Sequence, residues 1–382
     1  MILNNLKTAL SGDPANIRIK EGSIDDISPL WHNAVSGHLN LTFNNAIVFP
    51  GIINSHDHLD FNLFPSLGDR TYSNYTEWGQ YIHAHFKDKI DRVLKIPVDL
   101  REQWGVYKNL INGVTTVINH GKKIKKHCDP ITVYEHCQCI HSVQFEKKWW
   151  LSLNNPLKKN VPVAIHTGEG VDKESGEEID RLIKRNLLKR NIIGVHGVAM
   201  KEEQAQAFKA LVWCPESNYF LLNKSAPVNQ LKKHIPILFG TDSTLTGTWN
   251  LWEHIRRARA TRQLTDSELF DSLTVNPAKT WGLNSGEFAP GKDADLVVAR
   301  EKTGARTVES FFGLDPQDIL LVMHKGHIVL FDEELYPQLK SIELEHYSRI
   351  YEKSTCKYVA GNLPALMRTI EQYYRGVSFP II

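Results

Sequence analysis

Two histidines one residue apart, His56 and His58, close the stretch Phe49-Pro50-Gly51-Ile52-Ile53-Asn54-Ser55-His56-Asp57-His58. The stretch is short and apolar and reads as a strand. Side chains at i and i+2 of a strand share a face, so both imidazoles aim the same way. Imidazole is the commonest metal ligand near neutral pH. By itself a His-x-His pair is equally at home on a surface or in a core. Three further runs repeat the placement. Val163-Ala164-Ile165 ends in His166, Ile192-Ile193-Gly194-Val195 ends in His196, and Pro236-Ile237-Leu238-Phe239-Gly240-Thr241 ends in Asp242. One strand-end histidine is more often a hydrogen-bonded core residue than a ligand. Four histidines and an aspartate in the same context make chance placement a poor explanation.

Such groups need a scaffold that brings distant strand ends together. Between residues 51 and 284, strands at 114–119, 163–166, 192–196, 211–214 and 235–240 alternate with helical segments at 175–189 and 201–210. Ile179, Leu182, Ile183 and Leu187 form the apolar stripe of the first of these helices. Repeated βα units imply a parallel sheet. A span of this size suits a (β/α)8 TIM barrel of about 250 residues, which carries its catalytic groups at the C-terminal ends of its strands. A doubly wound sheet would want a glycine-rich loop after its first strand, and Gly51-Ile52-Ile53-Asn54 offers none. The flanking regions alternate apolar and polar residues between Gly and Asn turns, as hairpins do. The expected fold class is therefore α/β. Residues 51–284 form the barrel, and residues 1–50 plus 285–332 form a small β-sandwich built from both chain ends. Residues 333–382 read as a helical tail, with Leu363, Met367, Ile370 and Tyr374 at helical spacing and Asn362 as cap. That tail is expected to pack against the barrel or a neighbouring subunit.

The composition narrows the function. The 382 residues carry 45 Lys+Arg against 43 Asp+Glu, a net charge of +2, which argues against a dedicated nucleic-acid surface. No apolar run reaches 18 residues, so no membrane span is expected, and the N-terminus lacks the pattern of a signal peptide. Five scattered cysteines make a poor disulfide framework and point to reduced thiols in a cytoplasm. The run Lys122-Lys123-Ile124-Lys125-Lys126 reads as a solvated face. His127, Cys128, His136, Cys137, Cys139 and His141 crowd one interval, but no CxxC pair occurs there. They read as residues alternating along strands, with His120 and His141 as core or supporting groups that could also line a pocket.

Seven stretches then occur in one order. They are PGIINSHDH at 50–58, GVTTV at 113–117, HTGE at 166–169, GVHG at 194–197, WCPESNYFLL at 213–222, FGTDS at 239–243 and FAPGKDADLVV at 288–298. In these the chain resembles the amidohydrolase superfamily, nearest to its cytosine deaminase-like and triazine hydrolase-like branch, from its start to about residue 331. The resemblance implies that His56, His58, His166 and Asp242 hold a metal ion and that Asp242 also contacts the attacking water. It implies that Glu169 shuttles protons and that His196 is a ligand, as in two-metal members, or polarises the substrate, as in one-metal deaminases. Three imidazoles and one carboxylate suit zinc, with iron as the alternative. A bound water falls from pKa 15.7 to about 7, making hydroxide available at neutral pH.

Two-metal relatives bridge their ions with a lysine or glutamate on the fourth strand. Only Lys147 and Lys148 lie near that position, so one divalent metal per chain is expected. Asn62, Trp78, His120, His141 and Asn218 are the candidate substrate contacts. The expected activity is hydrolysis of a carbon–nitrogen bond other than a peptide bond. The expected form is deamination of a small nitrogen-rich cyclic compound by metal-bound hydroxide, in a cytoplasmic protein, with a homo-oligomer left open as its assembly. Its rivals are a binuclear amide or cyclic imide hydrolase and a catalytically silent ligand-binding relative.

Overall fold

The structure is a computed structural model and describes residues 1–33, 38–124, 130–302, 305–339 and 343–382. Lys125, Lys126, His127 and Cys128 fall outside the described residues. The first strands run β1 (Ile2–Thr8), β2 (Pro14–Lys20), β3 (Ser23–Ser28), β4 (Asn40–Thr42) and β5 (Ala46–Pro50). Then come β6 (Ile52–Asp57), β7 (Val114–Asn119), β8 (Thr132–Tyr134), β9 (Gln138–Ser142) and β10 (Val163–Thr167). The middle of the chain adds β11 (Ile192–His196), β12 (Ala210–Trp213) and β13 (Ile237–Phe239). The last are β14 (Leu296–Arg300), β15 (Ile319–His324), β16 (His327–Asp332), β17 (Tyr347–Glu352) and β18 (Thr355–Ala360).

Strands β6 to β13 form two parallel sheets, β6-β7-β8 and β13-β12-β11-β10-β9. Strands β6, β7, β10, β11, β12 and β13 are buried on both faces, as parallel strands covered by helices are, while β8 and β9 are only partly covered. The connecting segments fit the expected βα rhythm at most positions. The helix expected at 175–189 runs Lys173–Arg185, capped by the Asp172 carboxylate, which accepts from Ser175 N–H at 2.9 Å. It ends early, because the Asn186 side chain accepts from Arg190 N–H and starts a turn that leaves Leu187 exposed. The helix expected at 201–210 shrinks to the single turn Glu202–Ala205. The tight interval before β10 holds its two strands by omitting a helix: only residues 135–137 separate β8 from β9.

Three helices fill the long excursion between β6 and β7, namely α1 (Tyr75–His85), α2 (Lys87–Leu94) and α3 (Val98–Ile111). Asn74 caps α1 by accepting from Glu77 N–H at 2.9 Å, while the Glu77 carboxylate accepts from Ser73 N–H at 2.8 Å. These helices form one wall over the strand ends and bring a buried lysine beneath them, as described below.

The expected sandwich of both chain ends takes a different form. The structure shows one ten-stranded sheet of order β17-β18-β16-β15-β14-β5-β1-β2-β3, with β4 beside β1. The two ends of the chain meet where β5 and β14 pair antiparallel, from Ala46↔Arg300 to Pro50↔Leu296. The expected hairpin is present: β15 and β16 pair across Lys325-Gly326, both with positive φ, as a type I′ turn requires. The tail is also more than helical. It adds β17 and β18 to the sheet edge before the helix Leu363–Tyr373, which Asn362 caps by accepting from Ala365 N–H at 3.1 Å. The exposed Arg349 and Tyr351 alternate with the buried Ile350 and Glu352, the period of two that a strand requires.

Gly51 marks the passage from sheet to barrel-like unit. A Cβ there would lie 2.3 Å from Thr115 Oγ1, so no other residue fits between β5 and β6. Among the described residues no helix is long and apolar enough to cross a membrane.

Candidate metal centre and active site

The strand-end residues converge. His166 Nε2 lies 3.2 Å from His56 Nε2 and 3.3 Å from His58 Nε2. Asp242 Oδ1 lies 3.6 Å from the Nε2 atoms of both His56 and His58. Zinc–nitrogen bonds of 2.0–2.1 Å in a tetrahedron put neighbouring ligand atoms about 3.3 Å apart. The residues present therefore fit a divalent ion, in donor type and in spacing. Further bonds set their direction. His166 Nδ1–H donates to the His141 carbonyl at 2.8 Å, which leaves the Nε2 lone pair facing the cluster. Asp242 Oδ2 accepts from Ser217 Oγ and Thr246 Oγ1, each at 2.7 Å, which leaves Oδ1 free to face the histidines.

The backbone is bent to achieve this. His196 and Asp242 have φ of 72° and 64°, the left-handed region that non-glycine residues rarely occupy. Strain of this kind gathers at functional sites, where the surrounding structure holds it. Here β6 holds Asp242. Thr241 N–H and Asp242 N–H donate to the His56 carbonyl, and His58 N–H donates to the Asp242 carbonyl, all at 3.0 Å.

Burial decides the protonation states. His58 and His166 are held below the usual imidazole range by burial and by the neighbouring histidines, and His196 falls to about 3 by burial. All three are therefore neutral and carry a lone pair. Burial acts to raise the Asp242 pKa, but the hydrogen bond from His56 and the electrostatic influence of the facing imidazoles outweigh it and hold the carboxyl below its ordinary value. Glu169 goes the other way. Burial, with Asp242 and Glu178 nearby, pushes its carboxyl well above the ordinary range. Glu169 Oε2 lies 3.5 Å from His196 Nε2. Asn218 Nδ2 donates to His196 Nδ1 at 2.9 Å, so the His196 proton sits on Nε2 and points toward Glu169 and the pocket.

A cavity of about 690 Å³ opens over these groups. Phe61, Phe64, Trp78, Ile82, Ile90 and Phe145 supply much of its wall, drawn largely from the excursion that carries α1 and α2. Among the described lining residues there is no lysine or arginine, and the only acids are Glu169 and Asp242.

The other candidate residues are spread around this cavity. Trp78 and His141 line it. Asn62 turns away, with Nδ2 donating to Asp57 Oδ1 at 2.7 Å, and Asn218 backs His196. His120 lies beneath the cluster, with its ring centroid 4.3 Å from that of His166. Lys147 and Lys148 are exposed and take no part.

The motifs did not reveal the support under the metal ligands. Asp57, between the two first-strand histidines, accepts from Lys108 Nζ at 3.0 Å, Asn109 Nδ2 at 2.9 Å, Asn54 Nδ2 at 3.1 Å and Thr241 Oγ1 at 3.2 Å. One signal was available: Lys108 is a lone charge in the otherwise apolar end of α3.

Glu178, on the helix Lys173–Arg185, accepts from Gly168 N–H at 2.6 Å and is raised by burial to about 7. A carboxyl raised in the folded state stabilises fully below its unfolded pKa, and that contribution is lost as pH rises toward about 7. Glu178→Gln keeps the acceptor and removes the charge. It should leave thermal stability near wild type at pH 5 and raise it at pH 8 by up to about 3 kcal/mol. Melting curves at the two pH values check this.

The comparisons with known proteins agree with the geometry. Residues 154–329 match the model of the amidohydrolase family. The chain is 23% identical over 373 residues to a 5'-deoxyadenosine deaminase of Methanococcus maripaludis, covering 76% of this chain and 86% of that protein. It is 27% identical over 222 residues to a 5-methylthioadenosine/S-adenosylhomocysteine deaminase of Pyrococcus furiosus, covering 50% of this chain and 52% of that protein. A solved adenosine deaminase of Xanthomonas campestris with bound zinc superposes with a TM-score of 0.72 at 16% identity, covering 98% of this chain and 97% of that one. The resemblance to the amidohydrolase superfamily is borne out, with a TIM-barrel-like α/β fold. A hydrolase acting on carbon–nitrogen bonds with the help of a divalent metal is supported.

Proposed function

We propose that the protein deaminates an uncharged, nitrogen-rich heterocycle that carries an apolar substituent, such as an aminopurine with an uncharged sugar-derived group. One observation carries the reading. A buried carboxyl, Glu169, whose pKa burial raises, lies 3.5 Å from His196 beside a three-histidine, one-aspartate cluster that lines an apolar cavity. The relatives are named for deaminating 5'-deoxyadenosine and 5-methylthioadenosine/S-adenosylhomocysteine; the first two of these compounds suit an apolar cavity wall, and the charged amino-acid group of the third does not.

His56, His58, His166 and Asp242 would hold one divalent ion, zinc by preference. Such an ion acidifies a water molecule and so makes a nucleophile available near neutral pH. His196 donates from Nε2 to the ring nitrogen next to the carbon under attack. Asp242 accepts the proton of the attacking water. Glu169 then gives a proton to the amino group, which leaves as ammonia. Trp78 and His141 contact the substrate, whereas Asn62 and Asn218 position the groups that do. Binuclear amide hydrolysis is the weaker reading, because Lys147 and Lys148 lie outside the site.

The scaffold this reading expects is a (β/α)8 barrel at 51–284 beside a composite β unit of 1–50 and 285–332, and the Asp57↔Asp242 bridge between the two parallel sheets supports it. A cytoplasmic setting accords with the free thiols of Cys137, Cys139, Cys214 and Cys356.

The test is ammonia release by zinc-loaded protein from a panel of paired aminoheterocycles, each bare, with an apolar substituent, and with a phosphate or carboxylate on that substituent. Turnover should favour the apolar members at least tenfold over both others. Release from none of them, or preference for the charged members, would refute the reading.

A further inference from the structure

His120, which follows β7, is the least explained polar group in the centre of the molecule. It is 4% exposed, and among the described residues neither ring nitrogen completes a hydrogen bond. The backbone carbonyl of Ile140 faces one side of the ring without completing a bond. A buried imidazole without partners is costly unless something satisfies its lone pair. What surrounds it is a set of ligands. Its ring centroid lies 5.0 Å from that of His56, 5.4 Å from His58 and 4.3 Å from His166. One ligand nitrogen from each of His56, His120 and His166 lies within 4.8 Å of the other two.

Other occupations for His120 fit less well. It is not among the residues lining the cavity, so a substrate above the cluster does not reach it. Among the described residues no side chain bonds it, and the Ile140 carbonyl is the only polar backbone group facing its ring that the geometry shows. Its placement is that of His166, which turns one ring nitrogen to a backbone carbonyl and the other to the cluster.

We propose that His120 is a fourth imidazole ligand of the metal centre, making the protein donor set four nitrogens and one carboxylate oxygen and leaving one position of a six-coordinate ion open to water. The inference rests on the reading that this cluster binds a divalent ion and is independent of which reaction follows. X-ray absorption of the zinc-loaded protein counts its imidazole ligands by their ring scattering. Wild type should give four, and both His120→Ala and His120→Asn should give three, with zinc affinity lowered at least tenfold in chelator competition. The pair of variants guards against a folding defect in either one. A wild-type count of three overturns the proposal. So does a count of four that persists in a folded variant, which would assign the fourth imidazole to His196. Four imidazoles in a protein that releases no ammonia would sink the deaminase reading and leave this one standing.

Discussion

Glu169→Gln is expected to lower the turnover number by about 10²–10⁴-fold while the protein keeps its metal. Glu169 is 5% exposed, and burial beside Asp242 and Glu178 raises its pKa well above the ordinary value. A carboxyl in that condition can give a proton to a leaving group at neutral pH and take it back, which glutamine cannot do. Glutamine keeps the size of the side chain and one acceptor oxygen, so the contact with His196 at 3.5 Å survives and substrate binding should change little. The effect therefore falls on kcat and not on KM. Ammonia release and metal analysis on the same preparation decide the matter. Metal lost in step with activity would make Glu169 a ligand, and full activity would remove it from the chemistry.

The residues that carry this chemistry were legible because each ends an apolar run. Strand-end placement needs no knowledge of the fold, and the parallel strands at 163, 192 and 237 were bounded closely enough to align His166, His196 and Asp242. Their supports were not legible, because support is a matter of contacts across the chain. Ser217 and Thr246 aim Asp242 from a helix and a loop that no local pattern links to it. His120 was visible as a strand-end histidine, but a loop or core role explained it equally well until its lack of partners was seen. The cavity wall was hidden for another reason. Helices α1 and α2 interrupt the βα rhythm, and their apolar residues face the cavity where an ordinary barrel helix would face a strand. In the tail, strong helical spacing at 363–370 drew attention from the weaker alternation of β17.

Lys108→Met should destabilise the fold by about 3–5 kcal/mol, the usual cost of leaving one member of a buried ion pair alone. The Lys108 side chain is 2% exposed and that of Asp57 is fully buried, with Nζ and Oδ2 3.0 Å apart. Methionine fills similar volume, so the loss is electrostatic and not a cavity. The consequence reaches the site, because Asp57 sits between His56 and His58 and binds Thr241, the residue before Asp242. Lys108 also lies 3.3 Å from Thr241 Oγ1. One lysine thus ties the first-strand ligands to the last, and its removal should weaken metal binding about 10–100-fold, as loss of supporting partners does. Denaturant unfolding and chelator competition read the two effects separately. The double variant Asp57→Asn with Lys108→Met removes both charges together and should recover much of the stability, because no charge is then left buried alone. If Lys108→Met alone unfolds like wild type, the pair is not the keystone under the metal ligands. If the double variant is as unstable as the single, the cost lies in lost packing and not in the orphaned carboxylate.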